Sequence, residues 1–293
     1  MSTSASSFKA DALLVIVTVL AAAGWLFSHQ ALLQITPLWF IAIRFSLGAL
    51  VLGVFAHRSL GHMTAQHWRH GVVVGGWFAA GMVLWILGLA HSQHLGEGAF
   101  LTSLGVVLVP IVGRIAFGER PHSHVWWAAC VALLGLLCLM AQHGVRIDPS
   151  QLWFVGAAVL FAVYFQLNAR MAQQIPVIAL TSIALGCVSV TAASLAYVIE
   201  PIPDFITPAT WGWIWASVLL ATCLRFALQT KAQQLSNASH AALLMTLEPL
   251  WTALLGFVWL GQSLSLLQLV GCALIFMALV VGRLPRRTVE VGA

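Results

Sequence analysis

Glu248 and Pro249 lie inside an apolar stretch of the chain, where neither residue suits a hydrophobic helix. They occur in the segment MTLEPLW (245 to 251), within a run of apolar residues from about Asn237 to Leu260. A charge removed from water is costly, and a proline lacks the backbone donor of a helical residue. Pro249 predicts a kinked helix, because it leaves the carbonyl of Met245 without its helical partner. The pair therefore predicts a polar site at a helix bend.

Two arginines in other apolar stretches are candidate partners for this carboxylate. Arg44, Arg225 and Glu248 would form an intramembrane charge network. Glu248 lies ~16 Å from the start of its predicted helix, whereas Arg44 and Arg225 lie ~10 and ~9 Å from the nearer ends of theirs. An ion pair would fix helix packing, whereas a protonated Glu248 would bind substrate or exchange protons. The different depths and the bend at Pro249 favour the protonated carboxyl group.

Aromatic and amide side chains recur at helical spacing in further apolar stretches. Residues four or eight apart share a helix face, which groups Trp77 with Trp85, Trp25 with His29, and Tyr164 with Asn168. Inward-facing rings would form a cavity suited to neutral or aromatic solutes or, by cation-π attraction, to organic cations. A tryptophan near a helix end is alternatively an interface anchor. The candidate substrate-binding residues are Trp25, His29, Trp77, Trp85, Tyr164, Gln166, Asn168 and Glu248.

The composition defines the elements that must position these residues. The chain has 293 residues, of which 61% are hydrophobic and 7% charged, and its mean hydropathy is +0.96. So few charges exclude a soluble globular domain. Apolar stretches long enough to cross a membrane as helices recur along the chain and predict an all-α polytopic membrane protein with ten transmembrane helices. The predicted spans are 12 to 33, 37 to 56, 70 to 90, 96 to 117, 124 to 141, 151 to 171, 176 to 198, 209 to 231, 237 to 260 and 264 to 282.

Lysine and arginine predict how these helices are oriented. With the N-terminus in the cytoplasm, ten of the thirteen basic residues lie on or near the cytoplasmic side, and only Arg146 lies in an opposite loop. Basic residues concentrate in cytoplasmic loops. We therefore expect a multi-pass membrane protein with both termini cytoplasmic and the loop around Gly144 to Asp148 external.

The chain also repeats itself. A shift of 143 residues aligns AFLTSLGVVLVPIVGRIAFG (99 to 118) with ALLMTLEPLWTALLGFVWLG (242 to 261), and a shift of 139 aligns Pro37 with Pro176. Each repeat would hold five helices, and because five is odd, the second repeat would cross the membrane inverted. The two predicted units are 1 to 145 and 146 to 293.

Enzyme and cofactor motifs are absent from the sequence. There is no HExxH, no Gly-x-Ser-x-Gly and no P-loop, and the cysteines lack metal-site spacing. We expect no catalytic residues, no metal, no cofactor and no nucleic acid, and instead a monomer with a small-molecule substrate, the lipid bilayer and possible proton coupling. The alternative of another class is an intramembrane enzyme or a helper subunit of one.

Three segments resemble a known family. LEPLWTALLGFVWLGQSLSLLQLVGCALIFMALVVG (247 to 282) resembles the end of a repeat in EamA-type members of the drug/metabolite transporter superfamily, with a Glu-Pro pair and a Gly-rich last helix. VVLVPIVGRIAFGERP (106 to 121) is similar to the matching part of the first repeat. RFSLGAL (44 to 50) resembles the arginine-bearing second helix. Gln262 departs from the usual turn glutamate, and Gly105-Val106 replaces Glu-Pro in the first repeat.

The resemblance implies two inverted five-helix repeats around a central cavity, in a protein of a bacterial inner membrane. It also implies export of small metabolites by alternating access, and overall similarity leans toward the YddG branch, which exports aromatic and other neutral amino acids. The alternative within the same fold is an exporter of multiple drugs or organic cations. A facilitator that runs down a metabolite gradient and a proton antiporter are both compatible with these features.

Overall fold

The described part of the chain consists of helices joined by short turns. A computed structural model describes residues 2–91, 101–140, 150–203, 205–260 and 265–282. The helices are α1 (Ser2–Ala31), α2 (Pro37–Gly61), α3 (Ala65–His91), α4 (Gly105–Phe117), α5 (Ser123–Met140), α6 (Ser150–Met171), α7 (Val177–Ile199), α8 (Pro208–Val218), a π-helical segment (Leu219–Leu224), α9 (Arg225–Leu235), α10 (Ala238–Met245), α11 (Leu247–Leu260) and α12 (Leu266–Gly282).

Six of the described helices are long and apolar enough to cross a membrane. They are α1, α2, α3, α6, α7 and the continuous helix Pro208–Leu235, which comprises α8, the π-helical segment and α9. Shorter apolar helices occupy Leu101–Phe117, Ser123–Cys138 and Leu266–Gly282. Large apolar side chains point outward, and Phe55 and Val198 are 75% and 80% exposed. The chain is a multi-pass membrane protein, because only a hydrocarbon layer would cover such a surface.

The turn between α9 and α10 is tighter than the sequence indicated. α9 continues to Leu235, four residues beyond the predicted end at position 231. Asn237 begins α10, and its side-chain oxygen accepts a hydrogen bond from the backbone N–H of His240 at 2.7 Å. At about 1.5 Å per residue, the longer helix places Arg225 ~6 Å deeper than the sequence estimate.

The predicted kinked helix from 237 to 260 is two helices. Thr246 separates α10 from α11, and both its N–H and its hydroxyl donate to the carbonyl of Leu243, at 3.2 and 2.7 Å. A similar break precedes α4, where the N–H of Leu104 donates to the carbonyl of Leu101 at 3.2 Å. The break before α4 is followed by Gly105 and Val106 and not by a Glu-Pro pair. A proline is therefore not required for this geometry.

The helices of the two halves recur at the offset found in the sequence. α8 begins 143 residues after α3, and α12 begins 143 residues after α5. α2 packs against α7 and α5 against α12, so equivalent helices contact each other. The second contact is close, because a Cβ on Gly135 of α5 would lie 2.8 Å from the carbonyl oxygen of Gly271 in α12.

Candidate functional site

A cavity of about 220 Å³ lies between helices of both halves. Its wall is aromatic: the rings of Trp25 and Trp85 meet edge to face with centroids 5.3 Å apart, and those of Phe78 and Tyr164 stack at 4.4 Å. Phe226 also lines it and meets Phe78 at 5.1 Å. The cavity therefore offers ring faces and edges to an apolar or aromatic group.

Glu248 lies in the cavity wall and has two partners. Its Oε2 is 3.4 Å from Nη2 of Arg225, and its Oε1 accepts a hydrogen bond from the indole N–H of Trp25 at 3.1 Å. The expectation that both arginines lie at other depths is therefore wrong for Arg225. α9 and α10 meet in a tight turn at Ser236 and Asn237. Arg225 and Glu248 lie at equal distances along the chain from that turn, so they lie at similar depths. Two donors around one carboxyl group favour the ion pair over the protonated form.

The local backbone explains why a glutamate and a proline are adjacent here. Glu248 and Pro249 are the second and third residues of α11. The first N–H groups of a helix have no acceptor within the helix, so proline removes no helical hydrogen bond there. A carboxylate is also stabilised at a helix N-terminus by the helix dipole. The Glu-Pro pair thus begins a helix at the wall of the cavity.

Arg44 lines the same cavity but has only neutral acceptors. Its Nε donates to Thr222 Oγ1 at 2.6 Å, Nη2 to the carbonyl of Ala221 at 2.9 Å, and Nη1 to Ser28 Oγ at 3.1 Å. Within the described chain, no ion pair includes Arg44. The predicted pairing of Arg44 with Glu248 is not observed, because Arg225 occupies that position.

The π-helical segment supplies two of the three acceptors of Arg44. Ala221 and Thr222 belong to it, and its wider turn departs from the regular pattern of α-helical hydrogen bonds. α1 approaches this segment closely, since a Cβ on Gly24 would lie 2.7 Å from the Cβ of Ala221. This approach brings Ser28 of α1 beside Arg44.

The structure brings together most of the residues that the sequence singled out. The cavity is lined by Trp25, Arg44, Trp85, Tyr164, Arg225, Glu248 and Pro249. Trp77 does not line it and is 39% exposed on the outer surface, which corrects the expected pairing of Trp77 with Trp85. The two residues are eight apart, and that spacing drifts around a helix of 3.6 residues per turn. The side chain of His29 lies outside the described residues.

Two predicted amide residues lie away from the cavity. Gln166 donates to the carbonyl of Val109 at 3.0 Å and to Glu119 Oε2 at 3.2 Å. Glu119 also pairs with Arg170 at 2.6 Å. Gln166 therefore joins α6 to α4 and to the turn that follows α4. Its amide holds helices together, as polar side chains do between membrane helices.

Asn168 is fully buried between helices. Its side-chain nitrogen donates to Gln233 Oε1 at 2.5 Å and to Thr230 Oγ1 at 3.2 Å. These bonds join α6 to α9, away from the cavity lining. The helical spacing of Tyr164 and Asn168 was correct, but only the tyrosine reaches the cavity.

The sequence analysis missed polar residues of the cavity lining, among them Ser28 and Gln229, and it missed Thr222, which accepts a hydrogen bond from Arg44 beside the cavity. Gln229 lines the cavity, is 3% exposed, and its Oε1 has no hydrogen-bond partner. Its spacing of four residues from Arg225 was a usable signal, because such residues share a helix face. Thr222 could not be found by helical spacing, since it lies in the π-helical segment.

A multi-pass helical protein with a cavity of aromatic and charged side chains between its helices has the architecture of a membrane transporter. The model of the EamA-like transporter family matches residues 8–141 and 149–282. The chain belongs to this family, and the two matches cover its two halves separately.

Similar proteins agree with this assignment. The "Uncharacterized transporter YwfM" of Bacillus subtilis (strain 168) is 28% identical over 261 residues, which cover 86% of each chain. An "Uncharacterized transporter" of Archaeoglobus fulgidus is 23% identical over 192 residues, covering 65% of this chain and 68% of its own. A solved crystal structure with 20% identity superposes with a TM-score of 0.77 and covers 96% of both chains, which shows the fold.

Proposed function

We propose that this EamA-family protein exports neutral or aromatic amino acids across a bacterial inner membrane by alternating access. The observation that carries the proposal is the cavity, because its aromatic wall and its charged groups come from helices of both halves. The bond from Trp25 to Glu248 joins residues 223 positions apart. A relative movement of the halves would therefore change the cavity directly, which is what alternating access requires.

The second half is proposed to be an inverted copy of the first, with units 1 to 145 and 146 to 293. The equal offsets of the helix starts and the packing of α2 on α7 and of α5 on α12 support this arrangement. Equivalent helices pair when two repeats are related by a two-fold axis in the membrane plane.

Amino acids fit the cavity better than organic cations do. Glu248 and the aromatic rings are the groups that would attract a cation. Glu248, however, already pairs with Arg225 at 3.4 Å. An ammonium group bound alone would have to compete with that pair, whereas an amino acid also carries a carboxylate, for which Arg44 has no competing counter-ion in the described chain.

Counterflow in proteoliposomes tests the proposed transport. Vesicles loaded with unlabelled phenylalanine should accumulate labelled phenylalanine, and the absence of counterflow for every neutral amino acid would contradict the proposal. Replacing Trp85 by Ala should weaken transport of phenylalanine about 2- to 10-fold more than that of alanine, the contribution of one ring contact. Trp77→Ala is the matched control and should change neither, since Trp77 lies outside the cavity. Repeating the assay with a pH gradient tests proton coupling.

Cysteine labelling tests the inverted topology. In a background without the five native cysteines, a cysteine replacing Ser150 should react with an impermeant maleimide added to intact cells. A cysteine replacing Ser59 should react only after the membrane is opened. Labelling of the cysteine at position 59 but not of that at 150 in intact cells would overturn the proposed orientation. Labelling of both cysteines in intact cells would overturn the proposal that the second unit is inverted.

A further inference from the structure

Arg44 is a buried cation without a counter-ion in the described part of the cavity. The residue is 8% exposed, and its guanidinium lies 5.8 and 5.6 Å from the ring centroids of Phe40 and Phe45. An ionised group in such surroundings is costly unless an opposite charge meets it. Its three acceptors are two hydroxyl groups and one carbonyl, and each of these needs only a neutral donor.

The described lining of the cavity therefore carries one positive charge in excess. Its charged residues are Arg44, Arg225 and Glu248. Arg225 and Glu248 neutralise each other across 3.4 Å, so the charge of Arg44 is the one left over. A ligand that placed a carboxylate beside Arg44 would give this charge the counter-ion that the described lining lacks.

The geometry of Arg44 suits a carboxylate. A guanidinium has five N–H groups, and three are used: one on Nε, one on Nη1 and one on Nη2. One N–H remains on each Nη nitrogen, which is the number that a bidentate carboxylate requires. The π-helical segment holds the side chain in place through Ala221 and Thr222, so the remaining donors are preorganised.

The described cavity wall also contains an acceptor without a partner, which suits an ammonium group. Gln229 is buried in its wall with Oε1 unpaired. Gln229 lies four residues after Arg225, one helical turn away on the same face. A ligand with both a carboxylate and an ammonium group therefore finds partners of both kinds within one cavity, with the aromatic wall available for its side chain.

We propose that Arg44 binds the carboxylate of the transported solute, and that the cavity selects zwitterionic amino acids and aromatic monocarboxylates over amines and amides. The proposal rests on the transport function proposed above and names the carboxylate as the group that its substrate must carry. Arg225 and Glu248 remain a neutral pair while Arg44 receives the anion.

A matched ligand series tests the site on the purified protein. Thermal stabilisation in detergent is measured with L-phenylalanine, L-phenylalaninamide, phenethylamine and 3-phenylpropionate. The two carboxylates should stabilise the protein at concentrations at least about tenfold lower than the amide and the amine, as expected for hydrogen bonds to a charged group. Equal potency of acid and amide overturns the proposal, and so does the absence of stabilisation by either carboxylate.

Variants then assign the preference to Arg44. Arg44→Gln should abolish the preference for carboxylates, and Arg44→Lys should retain part of it, because lysine keeps the charge without the fork of donors. Arg170→Gln is the matched control: it removes an arginine that pairs with Glu119 outside the cavity, and the preference should persist. A preference unchanged in a folded Arg44→Gln protein overturns the proposal.

Counterflow separates this inference from the proposed function. If the protein binds carboxylates selectively but shows no counterflow of any amino acid, the proposed transport is wrong and the Arg44 site stands. If counterflow is equally fast for phenylalanine and phenylalaninamide, the proposed transport stands and the Arg44 site is wrong.

Discussion

Arg44 and Arg225 line one cavity from different helices, and their surroundings differ. Arg225 begins α9 and faces the carboxylate of Glu248 at 3.4 Å, with each side chain about one-fifth exposed. Arg44 lies within α2 and is surrounded by Ser28, Thr222 and the carbonyl of Ala221. Of the two arginines in the described cavity lining, one thus has a counter-ion and the other has none.

The difference suggests separate roles for two residues of the same type. A paired charge contributes little net stability, but the loss of one partner leaves the other charge buried and alone. A charge that has only neutral acceptors can still take an anion. We therefore expect substitutions around Arg225 to act mainly on stability, and substitutions of Arg44 to act mainly on ligand binding.

The largest expected effect is that of Glu248→Gln. The substitution leaves Arg225 without a counter-ion and should lower the free energy of unfolding by about 3 kcal/mol, the lower end of the range for broken buried pairs, because the pair is partly open to the cavity. Thermal melting in detergent measures it.

The double variant Arg225→Gln/Glu248→Gln is the control for this experiment. Removing both charges leaves no unmatched ion, so most of the lost stability should return. A single Glu248→Gln protein as stable as the parent, with altered transport, would instead indicate that Glu248 is protonated and acts on the substrate.

Parts of this arrangement could be predicted from the sequence. Composition and charge distribution were sufficient for a multi-pass helical membrane protein, and the repeat appears in the structure as equal offsets of helix starts. The candidates Trp25, Trp85 and Tyr164 lie in the cavity because an i, i+4 pattern identifies a helix face. The pattern does not say whether that face turns to the cavity, to lipid or to another helix, which is why Trp77 and Asn168 lie elsewhere.

Other parts depend on contacts that no local pattern encodes. The depth of Arg225 depended on where α9 ends, and an error of four residues moved it by ~6 Å. The acceptors of Arg44 come from Ser28 in α1 and from the π-helical segment, far away in sequence. A π-helical segment depends on tertiary packing and has no simple sequence signal.

A smaller effect on stability is expected for Arg44→Gln. Its partners remain bonded without it, since Thr222 still donates to the carbonyl of Ser217 at 3.0 Å and Ser28 to that of Gly24 at 2.6 Å. The lost hydrogen bonds are offset in part by removing an unpaired buried charge. We expect a loss of about 1 kcal/mol in the same melting experiment. A loss equal to that of Glu248→Gln would mean that Arg44 is also a structural charge and would remove the contrast with Arg225.

The smallest effect is expected for Pro249→Ala, which tests whether the proline places Glu248 opposite Arg225. The substitution makes the unfolded chain more flexible, which should cost about 0.4 to 1 kcal/mol. The N–H that alanine adds lies in the first turn of α11, where a helix has no acceptor for it. The break before α11 should persist, because Thr246 holds it through Leu243 and because α4 has the same break with Val106 at the position equivalent to Pro249.

The melting temperature should therefore change little, and the variant Pro249→Ala/Glu248→Gln should lose as much stability as Glu248→Gln alone. If Pro249→Ala by itself destabilises the protein as strongly as Glu248→Gln does, the proline is needed to hold the carboxylate against Arg225, and the two broken helices have different causes.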